Sequence, residues 1–243
     1  MMNKYKRKGF LLHAKGKEYK SKVKYSLQII REAFEGNSCY VSFSGGKDSA
    51  VLTHLALSVD SNAWIWHWDY GDDLMPRQIE KEVLDNLGNM GAVNTVVNKR
   101  KGDGADTDSG YKQFFKQIQL NKNEYGWNMG LVGVRRAEST TRKNKYVNHF
   151  QDGDCYPLLD WSFEDVWAYI VSNNVPYPHV YDVYSSVVGY ENSRFVTFFD
   201  PEFETLSCGL DGVLMDEFRC KNYKDCSEKS VFNDKELSRK WSN

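Results

Sequence analysis

Hydrophobic positions along the chain change period several times, and each change marks an element. Over 22–36, Val23, Leu27, Ile29, Ile30 and Phe34 recur near helical spacing and predict a helix. The short apolar run 39–43 then predicts a strand, and 48–58 a helix. Residues 63–68 (Ala-Trp-Ile-Trp-His-Trp) are almost continuously bulky, which suits a strand covered on both faces. Pro76 fits the first position of a helix that runs to about Leu87. A short β-branched strand is expected over 93–97. Residues 98–108 show no apolar pattern and read as a mobile loop or lid. A helix over about 110–121 and a fourth strand over 131–134 follow. Ser162-Phe163-Glu164-Asp165 forms a capping box ahead of a helix to about Ser172. Beyond Pro178 the periodicity weakens into an irregular, aromatic-rich extension.

Strands alternating with helices at this spacing predict an α/β fold, a parallel sheet of about five strands with helices on both faces. The expected organisation is a basic N-terminal arm over 1–21, a nucleotide-binding domain over 22–182 and a C-terminal extension over 183–243. In such sheets ligands bind beyond the carboxyl ends of the strands. The loops 44–49, 69–76 and 135–142 each follow a predicted strand, so they should converge on one edge.

A chain of 243 residues is long enough to bury a sizeable core. Its net charge of −1 gives no bulk attraction to nucleic acid. The distribution is uneven, however: residues 1–24 hold eight Lys and one Arg against a single acid, Glu18. That stretch reads either as a solvated, poorly ordered arm or as one that meets a polyanion, nucleic acid or an acidic partner protein. Five cysteines (39, 155, 208, 220 and 226) form no Cys-x-x-Cys pair, and residues 1–20 lack an apolar core region. A reducing, cytoplasmic setting with no membrane partner is expected.

The chemistry concentrates in three places. Residues 42–49 read Ser-Phe-Ser-Gly-Gly-Lys-Asp-Ser between a strand and a helix. Paired glycines let the backbone approach an oxyanion, and the free N–H groups of a helix start point at it. The common phosphate loop has a glycine where Val41 stands and Ser or Thr where Asp48 stands, so this loop is of another kind. A ligand-free Gly-Gly turn is the plainer alternative. Asp69, Asp72 and Asp73 could hold Mg²⁺ or a ribose hydroxyl, or could simply form a turn and acidify a helix start. Arg135, Arg136 and Arg142, close behind Gly133, suit a second anion site or an exposed basic helix start.

The 42–49 loop resembles the Ser-Gly-Gly-x-Asp-Ser loop of the PP-loop ATP pyrophosphatases. With it, Asp69-Tyr70-Gly71 and Pro76, Gly133-Val134-Arg135-Arg136-Ala137-Glu138-Ser139 with Arg142, Tyr156-Pro157-Leu158 with Trp161, and Glu164-Asp165-Val166-Trp167 stand in the order seen in the PAPS reductase family. That resemblance covers about 25–182. The family groups PAPS and APS reductases, the small subunit of sulfate adenylyltransferase and the ATP pyrophosphatases of DNA phosphorothioation. It implies ATP and Mg²⁺, with Ser42, Phe43, Ser44, Gly45, Gly46, Lys47, Asp48, Ser49, Asp69 and Gly133 at the nucleotide. Lys47, Asp48, Arg135, Arg136 and Arg142 would act in catalysis, the arginines on an anionic acceptor such as sulfate or nucleic acid, with Asp48 and Asp69 as metal ligands.

The intact Gly45-Gly46-Lys47-Asp48 core is similar to the members that cleave ATP between its α and β phosphates. Adenylyl transfer in sulfur metabolism or sulfur modification is therefore the expected activity. One alternative is thiol-dependent PAPS or APS reduction, because Ser207-Cys208-Gly209-Leu210-Asp211 resembles the reductase's Glu-Cys-Gly-Leu-His, although the flanking Glu and His are absent. Another is an ATP-binding regulatory subunit of a nucleic-acid modification or defence complex, working with a protein partner or as a homo-oligomer.

Overall fold

The computed structural model describes residues 2–71, 75–100, 110–193 and 195. Most of the expected 98–108 lid, together with Asp72, Asp73, Cys208, Cys220 and Cys226, lies outside the described residues.

Helices α1 (Lys4–His13) and α2 (Lys17–Gly36) lead into strand β1 (Cys39–Phe43) and α3 (Lys47–Val59). Strand β2 (Trp64–Asp69), α4 (Arg77–Asn89), β3 (Asn94–Lys99), α5 (Gly110–Tyr125) and β4 (Met129–Leu131) continue the alternation. A 3-10 turn (Arg136–Glu138), α6 (Thr140–Lys145), the short strands β5 (Phe150–Gln151) and β6 (Asp154–Cys155), α7 (Phe163–Asn173) and α8 (Val180–Val188) complete it. The six strands lie in the order β3-β2-β1-β4-β6-β5, parallel throughout except for the β5–β6 pair. Strands β5 and β6 are the two arms of a hairpin that lies outside the four strands the apolar pattern locates. Asp152 and Gly153 both take positive φ (56° and 81°), the backbone that a tight two-residue hairpin requires.

Side chains alternate across the sheet, as strand geometry demands. Val41, Phe43 and Ile65 join the main core with Ile29 and Ile30 of α2, Leu52 and Leu55 of α3, Ile79 and Val83 of α4, and Trp167 of α7. Tyr40, Trp66 and Trp68 face the other way, onto Ile118 of α5 and Trp127. Both faces are thus covered, which is why β2 can be so uniformly apolar. The expected capping box is present: Ser162 Oγ accepts from Asp165 N, and Asp165 Oδ2 accepts from Ser162 N.

Two expectations change. The fourth strand ends at Leu131 rather than 134, because Gly133 turns the chain off the sheet and against the start of α3. The N-terminal residues form helices instead of a poorly ordered arm, with Met2, Phe10 and Tyr19 buried. Phe10 lies 6.3 Å from the Trp167 ring and 6.2 Å from Tyr190, centroid to centroid. Asp165 accepts from His13 Nε2 at 2.7 Å and from Lys22 Nζ at 2.8 Å, fastening α1 and α2 to α7. Burial works against ionising Asp165, but those two partners and the Ser162 N–H outweigh it and hold the carboxyl below its ordinary range. Among the described residues, no helix is long and apolar enough to cross a membrane.

Candidate functional site

The strand order reverses between β1 and β4, and the crevice beyond their carboxyl ends is where such a sheet receives a ligand. β1 delivers residues 44–49 to that crevice and β4 delivers residues 132–142. Ser42 and Phe43 close β1 rather than entering the loop. The Phe43 carbonyl accepts from His67 Nδ1 at 2.8 Å, so Nδ1 carries the proton in that bond. His67 Nε2 in turn meets Glu80 Oε1 at 2.8 Å, and both side chains are buried. This strut holds the strand end from which the loop departs, and it had no signal in the motif.

The loop is laced to itself. Ser44 N donates to Ser49 Oγ at 3.2 Å, Ser49 Oγ donates to the Gly46 carbonyl at 2.9 Å, and Gly46 N donates to Ser44 Oγ at 3.3 Å. Gly45 has φ +80°, and a Cβ there would stand 2.7 Å from both Val83 methyls, so only glycine fits. Gly46 is the N-cap of α3 and offers no side chain to the helix's first N–H groups. A helix start that its own N-cap residue leaves uncapped, beside a lysine, is an anion-binding arrangement.

Lys47 is buried and is held by the C-terminal part of the described chain. Its N–H donates to Tyr181 Oη at 3.0 Å, its Nζ donates to the Ser193 carbonyl at 3.0 Å, and Nζ lies 3.3 Å from Asp48 Oδ2. Phe195 lies against Gly45 and Gly46 and stacks on Tyr181 with ring centroids 6.2 Å apart. Tyr181, Ser193 and Phe195 therefore cover the loop, and the stretch beyond Pro178, expected to be irregular, is helical over Val180–Val188.

Asp48 bridges two cations, because its Oδ1 accepts from Arg135 Nε while Oδ2 faces Lys47. Burial alone would raise its pKa; Lys47 and Arg135 prevail and keep the carboxyl below its ordinary value. Arg135 Nη2 lies 3.6 Å from Glu138 Oε1, and Glu138 Oε2 pairs with Arg142 Nη1 at the solvent boundary. Lys47, Asp48, Arg135, Glu138 and Arg142 thus form one line of alternating charge. Gly133 makes the approach possible: a Cβ there would stand 3.1–3.2 Å from backbone atoms of Asp48 and Ser49.

Arg136 departs from the expected cluster. Its guanidinium pairs with Asp160 and donates to the Tyr146 and Val147 carbonyls, so it braces the segment that leads into β5. Asp69 is likewise engaged. Arg77 Nη1 and Nη2 reach its two oxygens at 2.7 and 2.8 Å, and the Gly71 N–H donates to Oδ1 at 2.8 Å. Burial opposes ionisation of Asp69, and Arg77, the Gly71 N–H and Lys99 overcome it.

The expected metal ligands do not fit a resident Mg²⁺. Asp48 and Asp69 are each already neutralised by cationic side chains, and among the described residues no three His, Cys, Asp or Glu side chains are grouped to share an ion.

The pattern of the phosphoadenosine phosphosulfate reductase domain matches residues 38–195, from the threshold of β1 to the last described residue. Sulfate adenylyltransferase subunit 2 of Colwellia psychrerythraea is 27% identical over 202 residues, covering 64% of this chain and 65% of its own. Adenosine 5'-phosphosulfate reductase of Bacillus cytotoxicus is 35% identical over 80 residues, covering 31% of this chain and 32% of its own. Adenosine 5'-phosphosulfate reductase 2 of Bacillus subtilis is 37% identical over 83 residues, covering 32% and 35%. The chain spans less than two thirds of the length of each of these relatives.

Proposed function

The chain belongs to the phosphoadenosine phosphosulfate reductase domain family, and on that premise we propose that it binds ATP at residues 44–49 and cleaves it between the α and β phosphates. The observation that carries the proposal is the uncapped start of α3, with Lys47, Asp48 and Arg135 gathered beside it at the β1–β4 crevice. In this reading the loop N–H groups and Lys47 hold the β and γ phosphates and leave the α-phosphorus exposed. An acceptor oxygen forms a bond to that phosphorus, the bond to the bridging oxygen breaks, and pyrophosphate leaves with the electron pair. Charge grows on the leaving group, where Lys47 and the helix start oppose it. Asp48 positions both cations, and Arg135 and Arg142 face the anionic acceptor. Arg136 has no part in the chemistry, and no step is routed through a metal.

Phosphate oxygens would take over the two Lys47 groups that Tyr181 and the Ser193 carbonyl hold, so nucleotide entry displaces Tyr181 and Ser193 from the loop. The relatives named as sulfate adenylyltransferase subunit 2 cover about twice as much of this chain as the reductases do, which favours adenylyl transfer in sulfur metabolism. Because they are named as one subunit, a second subunit belongs to the proposal.

The test is α-labelled ATP with Mg²⁺, scored for AMP, adenylylated acceptor and pyrophosphate, with and without sulfate or DNA. Lys47→Ala should slow product formation by two to three orders of magnitude, about 3–4 kcal/mol of barrier. ADP and phosphate as the products would overturn the reading. The reductase alternative rests on the APS reductase relatives and on Cys208, and Cys208→Ser separates it, since only sulfonucleotide reduction would then stop.

A further inference from the structure

The two N-terminal helices lie outside the 38–195 family match and take no part in the phosphate loop. Seven lysines (4, 6, 8, 15, 17, 20 and 24) and Arg7 are exposed on α1, its following turn and the first part of α2. None of the eight is ion-paired among the described residues; Glu18, the one acid within residues 1–24, pairs with Lys22. Lys4 with Lys8, Lys17 with Lys20, and Lys20 with Lys24 are like charges at helical neighbour spacing, which is unfavourable without an outside anion.

These charges are fixed rather than carried on a tail. Met2, Phe10 and Tyr19 anchor α1 and the start of α2 in the core, and His13 and Lys22 tie the two helices to Asp165. At 100° per residue, Lys4, Tyr5 and Lys8 stand on the side of α1 opposite Phe10. Tyr5 is 84% exposed and Tyr25 is 48% exposed, aromatic surfaces among the cations on which a base can stack. The chain as a whole is −1, so residues 25–243 carry −9, and the positive charge is concentrated in the first 24 residues. That asymmetry makes any encounter oriented. Phe10 is the one residue that α1 gives to the protein's own core, and Leu12 stays 70% exposed beside Tyr5 and Lys8, so anionic lipid vesicles are the control that the test needs.

We infer that α1 and the first half of α2 form a docking face for the phosphate backbone of a nucleic acid. The inference stands whether or not the phosphate loop cleaves ATP, because it concerns binding by other residues.

The test is fluorescence anisotropy of the full chain with labelled single-stranded and duplex oligonucleotides of about 20 nucleotides, across about 50–200 mM salt. Binding through about four phosphates predicts a slope of log K on log salt near −3. Lys4→Gln with Lys8→Gln should weaken binding at least about tenfold and reduce the slope by about 2 while leaving the melting temperature unchanged. A preference for one oligonucleotide form would name the source. No binding at low salt, an unchanged slope in the double variant, or equal binding to polyglutamate or phosphatidylserine vesicles would overturn the inference.

Discussion

Tyr181→Phe removes one oxygen from the cover over the phosphate loop and leaves the ring in place against Trp167 and Phe195. In the free protein that oxygen accepts the Lys47 N–H at 3.0 Å, and both residues are buried. Burial pushes the phenol's ionisation far above its ordinary range, so the bond does not titrate under working conditions. Without it the N–H is left buried and unpaired, which costs about 1–3 kcal/mol. Taking about 1.4 kcal/mol, the melting temperature of a chain this size should fall by about 3–5 °C. If phosphate takes over that N–H, the nucleotide-bound states of the two proteins differ little, and the loss reappears as about tenfold tighter nucleotide binding. Calorimetric titration with α,β-methylene-ATP and thermal melts with and without it measure both sides of the cycle. A melting gap that persists at saturating nucleotide, or weaker binding by the variant, would refute the displacement of Tyr181 and Ser193.

Gly133→Ala places a methyl group 3.1–3.2 Å from backbone that cannot yield, and should cost about 1–3 kcal/mol by chemical denaturation with a larger loss of activity. Gly88→Ala, in an open helical position with nothing within 4 Å, should instead gain about 0.5–1 kcal/mol. Arg135→Ala should abolish AMP formation, whereas Arg136→Ala should leave turnover within a few-fold and cost under about 1 kcal/mol, since its pair with Asp160 is half exposed. Asp165→Asn should cost about 1–2 kcal/mol at neutral pH through the lost His13 and Lys22 contacts. Because the folded pKa of Asp165 lies below the unfolded one, that contribution is full above about pH 4 and is lost as pH falls through the folded value. Melts of the wild type and the variant should therefore converge only in acid.

The buried strands β1 and β2 and the helices behind them were legible because their apolar runs are short, bounded and strongly periodic. The phosphate loop was legible because its chemistry is written in consecutive residues. Tyr181 and Ser193 reach Lys47 across 134 and 146 positions of sequence, and no local pattern encodes such a contact. The arginines show a subtler limit. Arg135 has extended backbone (φ −123°, ψ 135°), which sends neighbouring side chains to opposite sides, so Arg135 enters the crevice and Arg136 leaves it. Helix α1 escaped because Phe10 is its one buried residue among ten, too sparse to show against the charge. The Asp152-Gly153 turn is visible as a dipeptide, but strands of two residues each are too short to show a period.

Strand β4 is three residues long, yet it carries Arg135 to Asp48. Cys39 partners Met129 along one margin of β4 and Cys155 partners Leu131 along the other. Burial raises the Cys39 thiol to about 11 and drives Cys155 higher still, so neither reacts until water reaches it. Their alkylation is therefore a clock for the seam itself: the rate at which these two peptides gain label, followed by mass spectrometry, measures how often the chain lets go of Arg135 without unfolding as a whole.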